Sequence, residues 1–345
     1  MRAKYLGLDL PSPIIVSSSP YTSNVKSVEQ CAASGAGAVV LKSIFEEQIL
    51  HHAAALDAVS DSAYGDAEVY LQRYLGEDYK AGFLRLVQEA RSKTDLPVIA
   101  SINCDWIEYA TAMADAGASA LELNIFIQPT DIHAQARELE LNYAEIVGRV
   151  AGAVKIPVSV KLPMRLTNVF ALSSALLGYG ARGVVFFNRF FEPDVDVERM
   201  TFVESSPYSE PTELRNVLRM VAICSAVLPQ LDLSVSTGVH DGEAAVKALL
   251  CGAEAVQVCT AIHQKGFEVI AEMNEYIDRW AERQGFGSLD AETLGVAMDA
   301  LEHLQIQGRK IGVISHVAEM TERIPVQVQV RRVANGRSRI TVVEV

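Results

Sequence analysis

The chain has 345 residues, half of them hydrophobic and 21% charged, with a formal net charge of −13. That composition can bury a large core and argues against a disordered chain. The acidic balance argues against a protein whose main task is to grip nucleic acid. The five cysteines, Cys31, Cys104, Cys224, Cys251 and Cys259, form no Cys-x-x-Cys pair. No zinc ribbon or thioredoxin-like motif is therefore present, and a reducing cytoplasm suits their scatter. The first residues lack a long apolar signal core, and no run of 18 apolar residues predicts a membrane span.

In chain order, short β-branched apolar runs predict strands at Ile14–Ser17, Ala38–Leu41, Pro97–Ile102, Ala118–Asn124, Val158–Lys161, Gly183–Phe187, Leu233–Ser236 and Ala255–Cys259. Amphipathic stretches lie between them, such as Asp105–Ala116, Asn142–Val154 and Asp241–Leu250. Runs that are apolar almost throughout suit strands covered on both faces. Eight of them alternating with helices predict an α/β fold of the (β/α)8 barrel type, with a small C-terminal α+β appendage. Gly35, Gly117, Gly180 and Gly252 stand just before four of the strands, where a helix must end and the chain turn tightly. The segment Leu50–Phe83, rich in tyrosine and acid, is long for a βα loop and predicts a lid. A second long loop is expected over Phe190–Thr212.

In this fold the site lies at the C-terminal ends of the strands. The residues there are Ser17-Ser18-Ser19, Lys42-Ser43, Asn103, Asn124, Lys161, Asn188, Ser236-Thr237-Gly238 and Cys259-Thr260. Two lysines and three asparagines at corresponding positions of different strands are hard to explain as solvated surface. The set suits FMN, whose ring needs hydrogen-bond partners at its pyrimidine edge and a cation where reduction builds negative charge. Lys161 could supply that cation. Ser18, Lys42, Ser43 and the asparagines could fix ring and ribityl. Thr237-Gly238 and Cys259-Thr260 follow the last two strands, where such barrels commonly bind phosphate.

The pieces Val39-Val40-Leu41-Lys42-Ser43, Glu122-Leu123-Asn124, Val158-Ser159-Val160-Lys161-Leu162, Phe187-Asn188 and Thr237-Gly238-Val239, with the long run Leu249–Gly266, resemble class 1 dihydroorotate dehydrogenases in family order. The resemblance implies FMN bound by Lys42, Asn103, Asn124, Lys161, Gly238 and Thr260. It also implies a dihydroorotate-like substrate facing Asn124 and Asn188, with Lys161, Asn124 and Asn188 as the residues of the reaction centre. The family's active-site loop reads Asn-Leu-Ser-Cys-Pro-Asn, its Cys or Ser being the base. Here the stretch is Asn124-Ile125-Phe126-Ile127-Gln128-Pro129, and Ile127 cannot carry a proton. The family's Asn-x-x-Gly-Leu motif is replaced by Gln72-Arg73-Tyr74-Leu75-Gly76. The cofactor half of the site thus looks intact and the substrate half altered. Asp131 and His133 are candidate replacement bases, and Arg165 and Arg189 candidate partners for a substrate carboxylate.

The texture changes at Gly285. Residues 285–345 resemble the C-terminal end of the SbcC family, the ATPase subunit of a DNA-repair nuclease. They carry Gly285-Phe286-Gly287-Ser288-Leu289-Asp290, Ser315-His316 and a basic hairpin around Asn335-Gly336. The strand ending Asp-Glu that precedes this segment in that family is replaced by Trp280–Gln284, and the sequence holds no Gly-x-x-x-x-Gly-Lys-Ser/Thr loop. A histidine without a phosphate cradle or metal site cannot hydrolyse ATP. Two domains are expected, a barrel over 1–284 and a joined fragment over 285–345. The first expectation is a cytoplasmic FMN oxidoreductase, a homodimer being one option, without membrane or nucleic-acid partners. The rivals are a non-redox phosphate-binding barrel enzyme using Lys161 or Lys42, or an inactive fusion carrying a repair-ATPase fragment.

Overall fold

Ahead of the barrel lies a hairpin of β1 (Ala3–Tyr5) and β2 (Leu8–Leu10), joined by Leu6 and Gly7. Both turn residues have positive φ, 55° and 75°, the backbone of the two-residue turn whose twist matches a hairpin. Tyr5, Leu6 and Leu10 are buried against Ile15, Val40, Ile99 and Ala255, so the hairpin plugs the end of the barrel where the strands begin. Burying each such side chain contributes about 1.5–3 kcal/mol. Asp232 fixes the turn by accepting from the backbone N–H of Leu6 at 2.6 Å.

The barrel strands follow: β3 (Ile14–Val16), β4 (Ala38–Val40), β5 (Val98–Ile102), β6 (Ala120–Asn124), β7 (Val158–Pro163), β8 (Gly183–Asn188), β11 (Asp232–Ser236) and β12 (Ala255–Val258). All eight expected strands are present. They close in the order β11-β12-β3-β4-β5-β6-β7-β8, every pairing parallel. Residues of β5 and β7 are buried throughout, which is why both read as unbroken apolar runs. The computed structural model describes residues 1–43, 81–103, 107–127, 131–189, 193–204, 206–284, 326–333 and 337–344. Expectations for most of the Leu50–Phe83 lid, for Gln72–Gly76, Gln128-Pro129, Cys104, Asn335-Gly336 and the segment 285–325 with His316 fall outside those residues.

Helices alternate with the strands: α1 (Val25–Ala33), α2 (81–93), α3 (Ile107–Asp115), α4 (Ala136–Ala153), α5 (Val169–Gly178), α6 (Leu214–Val227), α7 (Gly242–Leu250), α8 (Thr260–Lys265) and α9 (Glu268–Gln284). In α6 the buried stripe is Leu214, Val217, Val221 and Cys224, the three-and-four spacing that turns one face inward. Asn24, Asn168 and Asp241 cap α1, α5 and α7 by accepting from backbone N–H groups three residues on. The glycines expected to end helices, Gly35, Gly117, Gly180 and Gly252, all have φ between 84° and 102°. Helix α4 begins at Ala136, six residues before the expected start at Asn142. Its first turns carry Glu138 and Glu140 without a clear apolar stripe, and Tyr143 is the first buried residue.

The long connection after β8 is a two-stranded ribbon of β9 (Pro193–Asp196) and β10 (Thr201–Glu204) rather than a featureless loop. Asp196 shapes its turn by accepting from Glu198 N and Arg199 N. The chain divides into two compact units, Met1–Gly285 and Phe286–Val345. In the second, β13 (Val326–Val333) pairs antiparallel with β14 (Arg337–Glu344) over eight residues each, the hairpin expected there. Among the described residues, no helix is long and apolar enough to cross a membrane.

Candidate functional site

The ends of β6, β7 and β8 bring three of the expected residues together. Asn124 lies opposite Lys161 in the β6–β7 register, and the Asn188 side-chain N–H donates to Asn124 Oδ1 at 2.5 Å. Because side chains two apart on a strand share a face, Glu122 and Asn124 point the same way, as do Ser159 and Lys161.

Lys161 is 5% exposed and Glu122 1% exposed, inside the closed barrel. The Lys161 ammonium donates to Ser17 Oγ and Gln257 Oε1, both at 2.9 Å, and stands 3.9 Å from Glu122 Oε1. Gln257 in turn donates to Glu122 Oε2. Lys161 therefore keeps its counter-charge through a relay from four different strands. Burial pushes its pKa down, and the Glu122 carboxylate draws it part of the way back. Glu122 Oε1 has no hydrogen-bond partner among the described residues, so the carboxylate is held by the Gln257 hydrogen bond to Oε2 and by the Lys161 charge. An ion in such a place is costly unless paired and hydrogen-bonded.

A second polar line crosses β3, β4 and β5. Ser18 Oγ lies 3.0 Å from Ser43 Oγ and accepts from Ser43 N at 2.8 Å, while Ser43 Oγ meets Ser101 Oγ at 2.6 Å. Lys42 is half-buried at the end of β4, its backbone N–H bound to Thr22 O. Asn103 follows β5, and its Oδ1 is buried without a hydrogen-bond partner. A buried acceptor left unsatisfied costs about 1–3 kcal/mol, and a ligand donor reaching it removes that cost.

The two late turns form the other side of the mouth. Thr237 and Gly238 have φ of 71° and 74°. For a β-branched residue such as Thr237 this is a strained conformation, of the kind that collects at ligand-binding turns. A Cβ on Gly238 would stand 2.4 Å from Leu214 N, so glycine is required by the start of α6. The Thr237 hydroxyl donates to Glu213 Oε2 at 2.7 Å. Thr260 Oγ1 accepts from Ser209 N at 3.1 Å and lies 3.2 Å from Ser209 Oγ, which also meets His240 Nε2 at 3.0 Å. The Cys259 thiol is pushed up by burial, and Ser19 and Lys161 oppose the shift. The Thr237 hydroxyl thus spends its proton on Glu213, whereas Thr260 Oγ1 only accepts in these contacts.

Beside the mouth is a cavity of about 750 Å³. Phe126, Ile127, Leu139, Pro163, Met164 and Leu166 give it an apolar lining, interspersed with Glu140, Tyr143, Arg165 and Thr167. Asn188, Arg189, Glu213, Asn216 and Thr237 line it as well. Tyr143 Oη accepts from Ile127 N at 3.1 Å and fixes the loop after β6. Both candidate carboxylate partners therefore reach one cavity. The candidate bases do not line it: Asp131 and His133 sit on an exposed turn, where Asp131 Oδ1 accepts from His133 N at 2.8 Å.

Several residues here carried no role in the sequence. Glu122 and Gln257 were visible only as polar letters inside apolar runs, a signal for an inward-facing group. Glu213 and Ser209 lie in a loop with no motif around them, and His240 follows the Thr237-Gly238 turn without a spacing that marks it. Among the described residues, no group of three His, Cys, Asp or Glu is placed to hold a metal ion.

Fold and mouth together define a (β/α)8-barrel protein with a polar, cation-bearing site at the C-terminal ends of its strands. The dihydroorotate dehydrogenase family matches residues 1–280, and the chain belongs to that family. The catalytic subunit of dihydroorotate dehydrogenase B (NAD(+)) of Pyrococcus abyssi is 26% identical over 313 residues, covering 86% of this chain and 99% of that protein. The putative dihydroorotate dehydrogenase A (fumarate) of Aeropyrum pernix is 31% identical over 222 residues, 59% of this chain and 69% of that protein. The C-terminal segment is similar to a different protein: the SbcC component of the SbcCD nuclease of Pseudomonas aeruginosa is 67% identical over 60 residues. That segment is 17% of this chain and 5% of the nuclease component.

Proposed function

We propose that residues 1–284 form an FMN-dependent oxidoreductase of the dihydroorotate dehydrogenase type, acting on a CH–CH bond. The observation that carries this reading is the buried Lys161, held as a charge donor beside the Asn124–Asn188 pair at the barrel mouth. The residues present fit the cofactor. The unsatisfied Asn103 Oδ1 asks for a ligand donor, and the strained Thr237-Gly238 turn marks a place where backbone N–H groups meet an anion. When bound, FMN supplies the acceptor for the hydride that leaves the substrate.

In this reading Lys161 holds positive charge at the pyrimidine edge of the ring. Ser18, Lys42, Ser43 and Asn103 orient ring and ribityl. The turns at Thr237-Gly238 and Cys259-Thr260 hold the phosphate. Asn124 and Asn188 present amides to the substrate. The apolar wall at Phe126 and Ile127 excludes water. Nothing at position 127 takes a proton, and losing a general base typically lowers a rate by on the order of 10²–10⁴. Dihydroorotate is therefore the reference substrate, with a related compound as the physiological one. Residues 285–345 are read as a joined fragment of an SbcC-type protein, lacking the phosphate loop that ATP hydrolysis requires.

The test is the visible spectrum of the purified full chain before and after adding FMN, followed by anaerobic titration with dihydroorotate. A bound flavin spectrum, with slow reduction by dihydroorotate, is expected. A protein that stays colourless and takes up no FMN overturns the proposal.

A further inference from the structure

The geometry points to Arg189 as a specificity-determining residue that receives the carboxylate of a substrate with an apolar body. This deepens the proposed function and rests on it for treating the cavity as the substrate side of the mouth. Arg189 follows β8 directly and lines the cavity beside Asn188. Its guanidinium NH1 stands 3.6 Å from Glu213 Oε1, an ion pair just beyond hydrogen-bond distance.

Glu213 is committed elsewhere. Its Oε1 accepts from Glu210 N at 2.8 Å and its Oε2 from Thr237 Oγ1 at 2.7 Å. It fixes where the arginine stands without using up its donors. The Arg189 Nε–H is buried and has no acceptor among the described residues. A guanidinium presents Nε–H and a terminal N–H as a fork that matches the two oxygens of a carboxylate. An anion entering the cavity would gain a charge-assisted pair with the guanidinium.

The apolar part of the lining bears on what the anion is attached to. Phe126, Ile127, Leu139, Met164 and Leu166 offer no side-chain donor or acceptor, so a polar ring laid against them would lose hydrogen bonds to water. An apolar chain or aromatic ring meets no such cost. The ligand class is therefore a carboxylate carrying an apolar body.

The test uses the full chain after incubation with FMN, with flavin loading read by absorbance and ligand affinity by calorimetry. The probes are cinnamate, its neutral counterpart cinnamamide, and orotate as a polar carboxylate. The parent protein is expected to bind cinnamate at least about tenfold more tightly than cinnamamide, and more tightly than orotate. Arg189→Gln should abolish the carboxylate-over-amide preference, and Arg189→Lys should keep part of it because charge remains while the fork is lost. Circular dichroism checks that both variants fold. Equal affinity of the parent for cinnamate and cinnamamide, tighter binding of orotate, no measurable binding of any probe, or an unchanged preference in Arg189→Gln overturns the inference. Failure to load FMN sinks the redox reading instead, while the carboxylate-over-amide comparison still decides the role of Arg189.

Discussion

Glu254 gives the fold a titration that can be measured without any ligand. Its carboxylate accepts from the backbone N–H of Leu233 and stands near Asp232, which is paired with Arg182 at 3.4 Å. Burial pushes its pKa from 4.5 up to about 7, with the neighbouring Asp232 adding to the shift and the Leu233 N–H opposing it. Between those two values the native chain holds a proton that the unfolded chain has lost. Stability therefore falls as pH rises through that window. At about 1.36 kcal/mol per pKa unit, the ionised carboxylate costs the native state about 3 kcal/mol at pH 8. Glu254→Gln keeps an oxygen for Leu233 N and removes the titration. The variant should match the parent near pH 4.5 and exceed it by up to about 3 kcal/mol at pH 8. For a barrel of this size that is a rise in Tm on the order of 6 °C. Denaturant and thermal unfolding at both pH values measure it. A stability difference that does not change with pH, or a variant less stable than the parent at pH 8, refutes the reasoning.

Two further predictions concern the mouth. Gly238→Ala forces a Cβ to 2.4 Å from Leu214 N in a left-handed backbone, so it should destabilise by roughly 2–4 kcal/mol and weaken FMN uptake together. Urea unfolding and flavin release by ultrafiltration check this, and an alanine variant of unchanged stability contradicts it. Asp131→Asn and His133→Ala alter exposed side chains that do not line the cavity, so flavin reduction by dihydroorotate should change less than twofold, roughly the effect of an ordinary surface change. A loss of a hundredfold in stopped-flow reduction would restore one of them as the base.

The barrel was legible because eight apolar runs of strand length, buried on both faces, leave few other folds. The hairpin of β1 and β2 was not. Its strands have three residues each, too short for alternation to register, and its turn is Leu6-Gly7 rather than one of the usual asparagine or aspartate pairs. The ribbon of β9 and β10 was hidden by Pro193 and by exposed apolar residues such as Phe202, which read as loop. At the site, Asn124 and Asn188 could be picked out because each ends a strand, and Lys161 because it stands two residues short of the end of its own. Their partners could not be. Gln257 and Glu122 are 135 residues apart in sequence and meet only when the barrel closes. Glu213, which braces Arg189 and Thr237, reads in Glu210-Pro211-Thr212-Glu213 only as part of a helix start. The choice of Asp131 and His133 as bases rested on nearness in sequence, and the turn into α4 leaves both side chains exposed and outside the cavity lining, while Ala134 beside them lines it.

The charged relay of Glu122, Gln257 and Lys161 has a consequence for anyone engineering this protein. Replacing a buried ion pair by well-fitted hydrocarbon side chains is often neutral or stabilising by about 1–4 kcal/mol. A screen for heat resistance alone would thus favour greasy substitutions in the barrel's centre. The hardiest clones from such a screen would be those in which the cation beneath the mouth had been bred out.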